Sequence, residues 1–452
     1  MGKQAYSDHF KKNLSLALPV MTGQLGQIFT GVADTVMVGR VGETSIAAAS
    51  LANGLFFFIF VIGIGISFAI TPLVAESHGM DDMKGICRWL KNANLLNIIV
   101  SILLVVILMV ITQFIGYMNQ PESVVLLARP YLYLIGFSVI PVMFFQTYKQ
   151  FTEGMSDTRP AMYISLLSNT INVGLNYILI FGKLGFPAMG LMGAGIATVI
   201  SRIFMAIAFY RYFKSSNRYA TVNRMYQYAS ISKKVLRKLF KLGFPTGLQF
   251  SFEVSAFAGA SVMAGWLSVQ AMAAHQIALN LASISWMMAT GLGAAATIRI
   301  GNHLGKKDYL NLSRVGNSSY ILVSILMLIA GLIFWLFRYQ LTAFYVSEQG
   351  VIELAASLLF VAVFFQLSDG IQVIGLGLLR GLQDVNKPAV ISFIAYWGIG
   401  LPIGYYLGFN QGMGVQGIWI GLLFGLTASA IMLGTRFRIL ARKKLESSLQ
   451  PQ

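Results

Sequence analysis

Residues 93–116 read ANLLNIIVSILLVVILMVITQFIG, without one charged side chain. As a helix rising ~1.5 Å per residue, a run of this length covers the ~30 Å hydrocarbon core of a bilayer. It is one of twelve. Runs near 14–36, 47–73, 127–149, 161–182 and 190–210 complete a first group of six around it. A second group lies near 242–265, 272–297, 317–337, 351–379, 389–408 and 414–435. Backbone polar groups find no water in hydrocarbon, so the runs are expected as helices and not as open strands. The composition agrees: 56% of the 452 residues are hydrophobic and 11% are charged. A soluble domain carries ~25% charged residues and needs that surface to stay dissolved.

The formal net charge of +17 is read as loop bias, not as a nucleic-acid surface, because cytoplasmic loops accumulate Lys and Arg. With both termini cytoplasmic, the outer loops hold only Arg40, Arg129, Lys183 and Arg338, and Arg202 falls within the sixth run. All other basic residues then lie on the cytoplasmic side. Residues 211–241 carry nine Lys/Arg and no acid, which marks a basic linker able to lie along anionic headgroups. The organisation expected is an N-terminal lobe over 1–210, the linker over 211–241 and a C-terminal lobe over 242–452. The basic N-terminus leads into a run too long for a signal-peptide core. With Cys87 as the single cysteine, the chain cannot close an intrachain disulfide.

The two groups are copies. Pro19 pairs with Pro245, Gly79 with Gly305 and Asp82 with Asp308 at one offset; Gly63 and Gly65 pair with Gly291 and Gly293 two residues further on. Gly154, Asp157 and Pro160 find Gly381, Asp384 and Pro388. The phrases HGMDD (78–82) and LGKKD (304–308) echo each other. Six spans per half is an even number, so both halves start on the same side, and the repeat is parallel about the membrane normal. The fold class is an all-α membrane protein of twelve transmembrane helices in two pseudo-symmetric six-helix bundles.

Three acids lie inside spans: Asp34, Glu253 and Asp369. A charge at the bilayer centre costs ~2.5–3.5 kcal/mol on the insertion scale, so such residues face a bundle interior or a wet cavity and mark function. Each can carry a proton between the two sides, hold Na⁺ with neighbouring oxygens, or pair with a cationic substrate. Asn172 and Asn176 share one face of the fifth run, one turn apart, and Thr198 follows in the sixth; helix–helix hydrogen bonding is the plainer reading of the two asparagines. Pro19 and Pro402 sit within spans and are candidate hinges. His275, in AAHQIALN (273–280), reads as a packing residue with a proton relay left open. No G-x-x-x-x-G-K-[ST] loop, H-E-x-x-H helix, G-x-S-x-G elbow or Cys/His cluster occurs. An ATP motor on this chain is excluded, and the enzyme signatures are missing.

The chain resembles the multidrug and toxic compound extrusion (MATE) transporters, in their bacterial NorM-type branch. The resemblance rests on VADTVMVGR (32–40), EGMSDTRPAM (153–162), INVGLNYILIFGKLG (171–185), KLGFP (241–245) with FEV (252–254), AAHQIALN, IRIGNHLG (298–305) and QLSDGIQVIGLGLLRGLQD (366–384). It implies a monomeric antiporter of the bacterial cytoplasmic membrane, not an enzyme and without a cofactor. Such a protein exports organic cations and amphipathic compounds in exchange for Na⁺ or H⁺. It implies that Asp34 neighbours Asn172 and Asn176 in the amino-terminal lobe, and that Glu253 and Asp369 form a cation site, transiently Na⁺-binding, in the carboxy-terminal lobe. Arg40 departs from the branch, where a small residue is common. The repeat sets Gln27 opposite Glu253 and Ala260 opposite Asp34, so the acids are not duplicated. A lipid-linked saccharide flippase would need a more cationic cavity, and a membrane enzyme would need acids clustered with a metal or base partner.

Overall fold

The structure is a computed structural model that describes residues 2–449, with side chains over 6–448. Among the described residues it is built from helices and turns. The first half of the chain forms α1 (Gly2–Gly39), α2 (Glu43–Ser67), α3 (Ile70–Gly79), α4 (Met83–Phe114), α5 (Glu122–Phe137), α6 (Val139–Gly154), α7 (Arg159–Phe181) and α8 (Gly190–Ser215). The short α9 (Ala220–Tyr226) leads to α10 (Lys233–Leu267), α11 (Val269–Gly305), α12 (Tyr309–Ala343) and α13 (Gln349–Gly381). There follow α14 (Asn386–Phe393), α15 (Leu401–Tyr405) and α16 (Gly414–Leu449).

Eleven helical stretches among the described residues are long and apolar enough to cross a bilayer, one fewer than the apolar runs lead one to expect. The run at 14–36 is helical, within α1, but falls short in hydropathy. Gln24, Gln27, Asp34 and three glycines between 23 and 31 dilute its apolar content.

Contacts gather the chain into two compact units, one of residues 1–21 with 248–452, the other of 22–247. These boundaries differ from the lobes drawn at 210 and 242, and the repeat explains the difference. In the first unit, α11 packs on the N-terminal part of α1: a Cβ on Gly291 would lie 2.5 Å from Met21 Cγ and 3.2 Å from the Ala17 carbonyl oxygen. Arg299 of α11 donates to the His9 carbonyl at 2.9 Å and to Asn13 Oδ1, whose amide donates to Ser318 and Ser319 of α12. In the second unit, α2 packs on the N-terminal part of α10, where a Cβ on Gly65 would stand 2.2 Å from the Gly247 Cα. The first helix of each half thus divides its contacts at its middle.

The duplication is visible at atomic detail. Thr71 Oγ1 donates to the Gln150 carbonyl at 3.1 Å, and Thr297 Oγ1 to the Gly377 carbonyl at 2.8 Å. A Cβ on Gly154 would meet Val74 at 2.8 Å, and one on Gly381 would meet Ile300 at 2.7 Å. Asp81 and Lys307, like Ser156 and Gln383, occupy the left-handed region at matching turns. At the turns before α4 and α12, Asp82 and Asp308 cap the helix that follows by accepting from the backbone N–H of Gly85 and Asn311, the usual role of a short acid at that position. Burial opposes ionisation of Asp308, yet its bonds from Asn311 and the neighbouring His303 hold the carboxyl below its ordinary range.

The basic segment 211–241 is anchored along α4 in the second unit. Asn92 Nδ2 donates to the Ser230 carbonyl at 3.0 Å and Asn92 Oδ1 accepts from Ser232 N–H at 2.9 Å. The buried Tyr219 hydroxyl donates to Asp157 at 2.7 Å, with Arg218 beside the same carboxylate. Burial and that carboxylate push the Tyr219 hydroxyl far above its ordinary range, so it remains a donor.

Candidate functional site

Each unit carries its own group of acidic side chains. In the second unit, α1 presents Asp34 towards α7. Asn172 and Asn176 stand one helical turn apart, both buried, so their amides stack along one stripe of α7. Asn176 Nδ2 donates to Asp34 Oδ1 and lies 3.3 Å from Asn172 Oδ1, while Asn176 Oδ1 is buried without a partner. Three residues singled out from the sequence therefore meet through one amide. Of the three, Asp34 reaches the wall of a cavity of about 260 Å³, which Thr198 of α8, Asn53, Phe56, Tyr131 and Arg202 also line. The Thr198 hydroxyl itself bonds the Ala194 carbonyl at 2.9 Å.

Arg202 is the residue that sequence reasoning misses: it falls in the sixth run, and the pattern gives it no part with Asp34. One turn of α8 carries it from Thr198 into the same cavity. Its guanidinium lies 4.9 Å over the Phe56 ring and donates to Ser138 Oγ. An (i, i+4) relation to Thr198 is the available signal.

In the first unit, Glu253 of α10 and Asp369 of α13 are 5% and 3% exposed, each within the other's electrostatic field. The Glu253 carboxyl is bonded by the side chains of Trp286 and Tyr396 and, at 3.5 Å, by Gln249 Nε2. Gln372 Nε2 donates to the Tyr396 hydroxyl at 2.7 Å, and that hydroxyl donates to Gln372 Oε1 at 3.1 Å, so Gln372 and Glu253 compete for the one phenol proton. Arg380 lies within Coulombic reach of Glu253. Tyr396 is held by an unusual backbone: the helix widens into π turns over Ile394–Gly400 and again over Tyr406–Asn410, on either side of α15. Pro402, at the start of α15, supplies no N–H to the preceding turn, and such widened turns gather at functional sites. Tyr396, Trp286 and Gln249 escape sequence reasoning, because a π register defeats an (i, i+4) reading and aromatics in a span pass for filler.

Pro19 lies within the continuous helix α1. His275 is a satisfied packing residue: Trp419 Nε1 donates to its Nδ1 at 3.0 Å, and its Nε2 lies 2.9 Å from Ser261 Oγ. Among the described residues, no group of three or more His, Cys, Asp or Glu side chains is placed to hold a metal ion. A pair of buried carboxyls with an amide and a phenol can still take a proton or a desolvated monovalent cation.

Comparison with known proteins follows the same division. The MatE family model matches residues 19–178 and again 245–406, starting at Pro19 and at Pro245. The multidrug resistance protein NorM of Photobacterium profundum is 35% identical over 444 residues, covering 96% of each chain. NorM of Vibrio cholerae is 33% identical, covering 95% of each. The multidrug resistance protein MdtK of Yersinia pseudotuberculosis is also 33% identical, covering 99% of each. Among solved structures, a MATE protein in a bent conformation superposes with a TM-score of 0.90 at 20% identity, over 99% of this chain and 98% of that one. The eukaryotic MATE transporter AtDTX14 superposes with 0.87 at 21% identity, over 98% and 99%. With both halves matched, and relatives of about one-third identity along nearly its whole length, this chain belongs to the MatE family of membrane transporters.

Proposed function

We propose that this protein exports organic cations and amphipathic toxic compounds in antiport with Na⁺ or H⁺, as the names of its relatives invite. One observation carries the reading: two halves that repeat their glycines, caps and threonine bonds do not repeat their acids. Asp34 opens on a cavity of about 260 Å³, with room for part of an organic molecule. Glu253 and Asp369 are enclosed among Trp286, Tyr396 and Gln249, where a bare proton or a small ion fits and an organic cation does not. Two carboxylates in low dielectric repel each other unless a proton or cation joins them. The coupling ion therefore belongs to the C-terminal half and the organic ligand to Asp34, with Asn172, Asn176 and Thr198 in support. Coupling follows when each ligand binds the inward- and outward-open states unequally.

The Lys/Arg distribution supports a bacterial cytoplasmic membrane with both termini inside, and the enclosed core of each half supports a monomer. Pro402, beside the widened turn that carries Tyr396, is the hinge that the site favours; Pro19 is the second. The reading is tested by efflux of a fluorescent organic cation from proteoliposomes under imposed pH and Na⁺ gradients. Efflux driven by one of the gradients, and lost in the Asp34→Asn/Glu253→Gln/Asp369→Asn variant, supports it. Efflux indifferent to both gradients overturns it.

A further inference from the structure

The cavity at Asp34 holds opposite charges on its wall. Asp34 and Arg202 feel one another's field, yet among the described residues they are not joined as an ion pair. A guanidinium withdrawn from water is costly unless its donors are met by acceptors or a counter-charge. Here Ser138 accepts one N–H and Phe56 covers one face. The fork of a guanidinium has five N–H groups and fits a carboxylate in bidentate fashion. The lining also offers acceptors: the Asp34 carboxylate, the Ser50 hydroxyl, and the hydroxyl oxygens of Thr35 and Thr198, whose protons are already given to the Gly31 and Ala194 carbonyls. Those are partners for an ammonium, which donates three hydrogen bonds and accepts none. The rings of Phe56 and Tyr131 line the same cavity. At about 260 Å³ the space is below the ~300–1,000 Å³ of pockets that enclose drug-sized ligands. One guanidinium there is enough for a carboxylate, and too little for a lipid-linked diphosphate.

We propose that the Asp34 cavity is a bipolar binding site for small zwitterions of the aromatic amino-acid class, with the ammonium on Asp34 and the carboxylate on Arg202. Arg202 is the specificity-determining residue: it favours compounds that carry a carboxylate over simple monocations. This rests on the transport reading above, since the same ligand must leave when the ion enters.

The test uses purified full-length protein and three probes of one skeleton: phenylalanine, phenethylamine without the carboxylate, and hydrocinnamate without the ammonium. Binding is measured by equilibrium dialysis, and exchange in proteoliposomes. Wild type is expected to bind phenylalanine at least about tenfold tighter than either single-charge probe, the size of a charge-assisted hydrogen-bond pair. Arg202→Gln should erase the preference over phenethylamine while phenethylamine binding holds or rises, and Arg202→Lys should restore part of it. If Arg202 merely neutralised Asp34, its removal would shift phenylalanine and phenethylamine alike; their unchanged ratio overturns the proposal. Zwitterion selectivity in dialysis without gradient-driven exchange of any organic cation would sink the transport reading and leave the site standing.

Discussion

Asn176 gives its amide N–H to Asp34 and keeps its carbonyl oxygen buried without a partner. Removing it as Asn176→Ala costs one interhelical hydrogen bond, ~0.6–2 kcal/mol in a membrane interior. Thermal unfolding in detergent should change little, whereas organic-cation affinity should fall several-fold, and isothermal titration measures it. His275 has the opposite balance. Both ring nitrogens are engaged, so His275→Ala leaves the buried Trp419 N–H without a partner at a cost of ~1–3 kcal/mol, while the Ser261 hydroxyl keeps its bond to the Phe257 carbonyl. A lowered melting temperature with an unaltered pH profile of transport is the outcome foreseen; a shifted profile would assign His275 to the proton path. Spacing alone aligns Asn172 and Asn176, one helical turn apart; their place beside Asp34 is implied by the family resemblance and not by the pattern. Arg202 is placed by neither, since its partner choice depends on how α8 is rotated against α1.

The helical elements show the same contrast. Gly154 and Gly381 are matched contact points, where a larger side chain meets Val74 or Ile300. Gly154→Val and Gly381→Val should each destabilise by ~1–3 kcal/mol, the usual cost of overpacking. A similar loss of melting temperature in both would confirm equivalent packing, and a loss in one alone would refute it. The π turns around α15 are beyond the reach of a sequence pattern, although Pro402 marks the place. Pro402→Ala restores an N–H and lets the helix tighten. Tyr396 should then turn away from Glu253, and the apparent affinity for the coupling ion should fall while organic-cation affinity holds. Ion-dependent tryptophan fluorescence reads it through Trp286, which also bonds Glu253. No change in the ion dependence would show that the widened turn does not position Tyr396. The cap at Asp308 has its own pH signature. Its carboxyl is held below the ordinary range, so its contribution to stability is full above that range and is lost as pH falls through the lowered value.

At the scale of the whole molecule, the apolar runs reveal the helices, and the repeat offset reveals the duplication down to the turns at Asp81 and Lys307. Composition changes in the basic segment and so suggests unit boundaries there. The compact units instead divide within α1 and α10, whose continuity hides the change of partners. The proposed function divides the labour on this shared scaffold with unshared acids: the N-terminal half is assigned the organic ligand and the C-terminal half the ion. It is tested by comparing Asp34→Asn with Glu253→Gln/Asp369→Asn in one preparation, through organic-cation binding and gradient-driven efflux. Asp34→Asn is expected to abolish organic binding while ion binding persists, and Glu253→Gln/Asp369→Asn to bind the organic cation but no longer respond to a gradient. Equal loss of both properties in two folded variants, or gradient-driven efflux intact in either, would contradict that division.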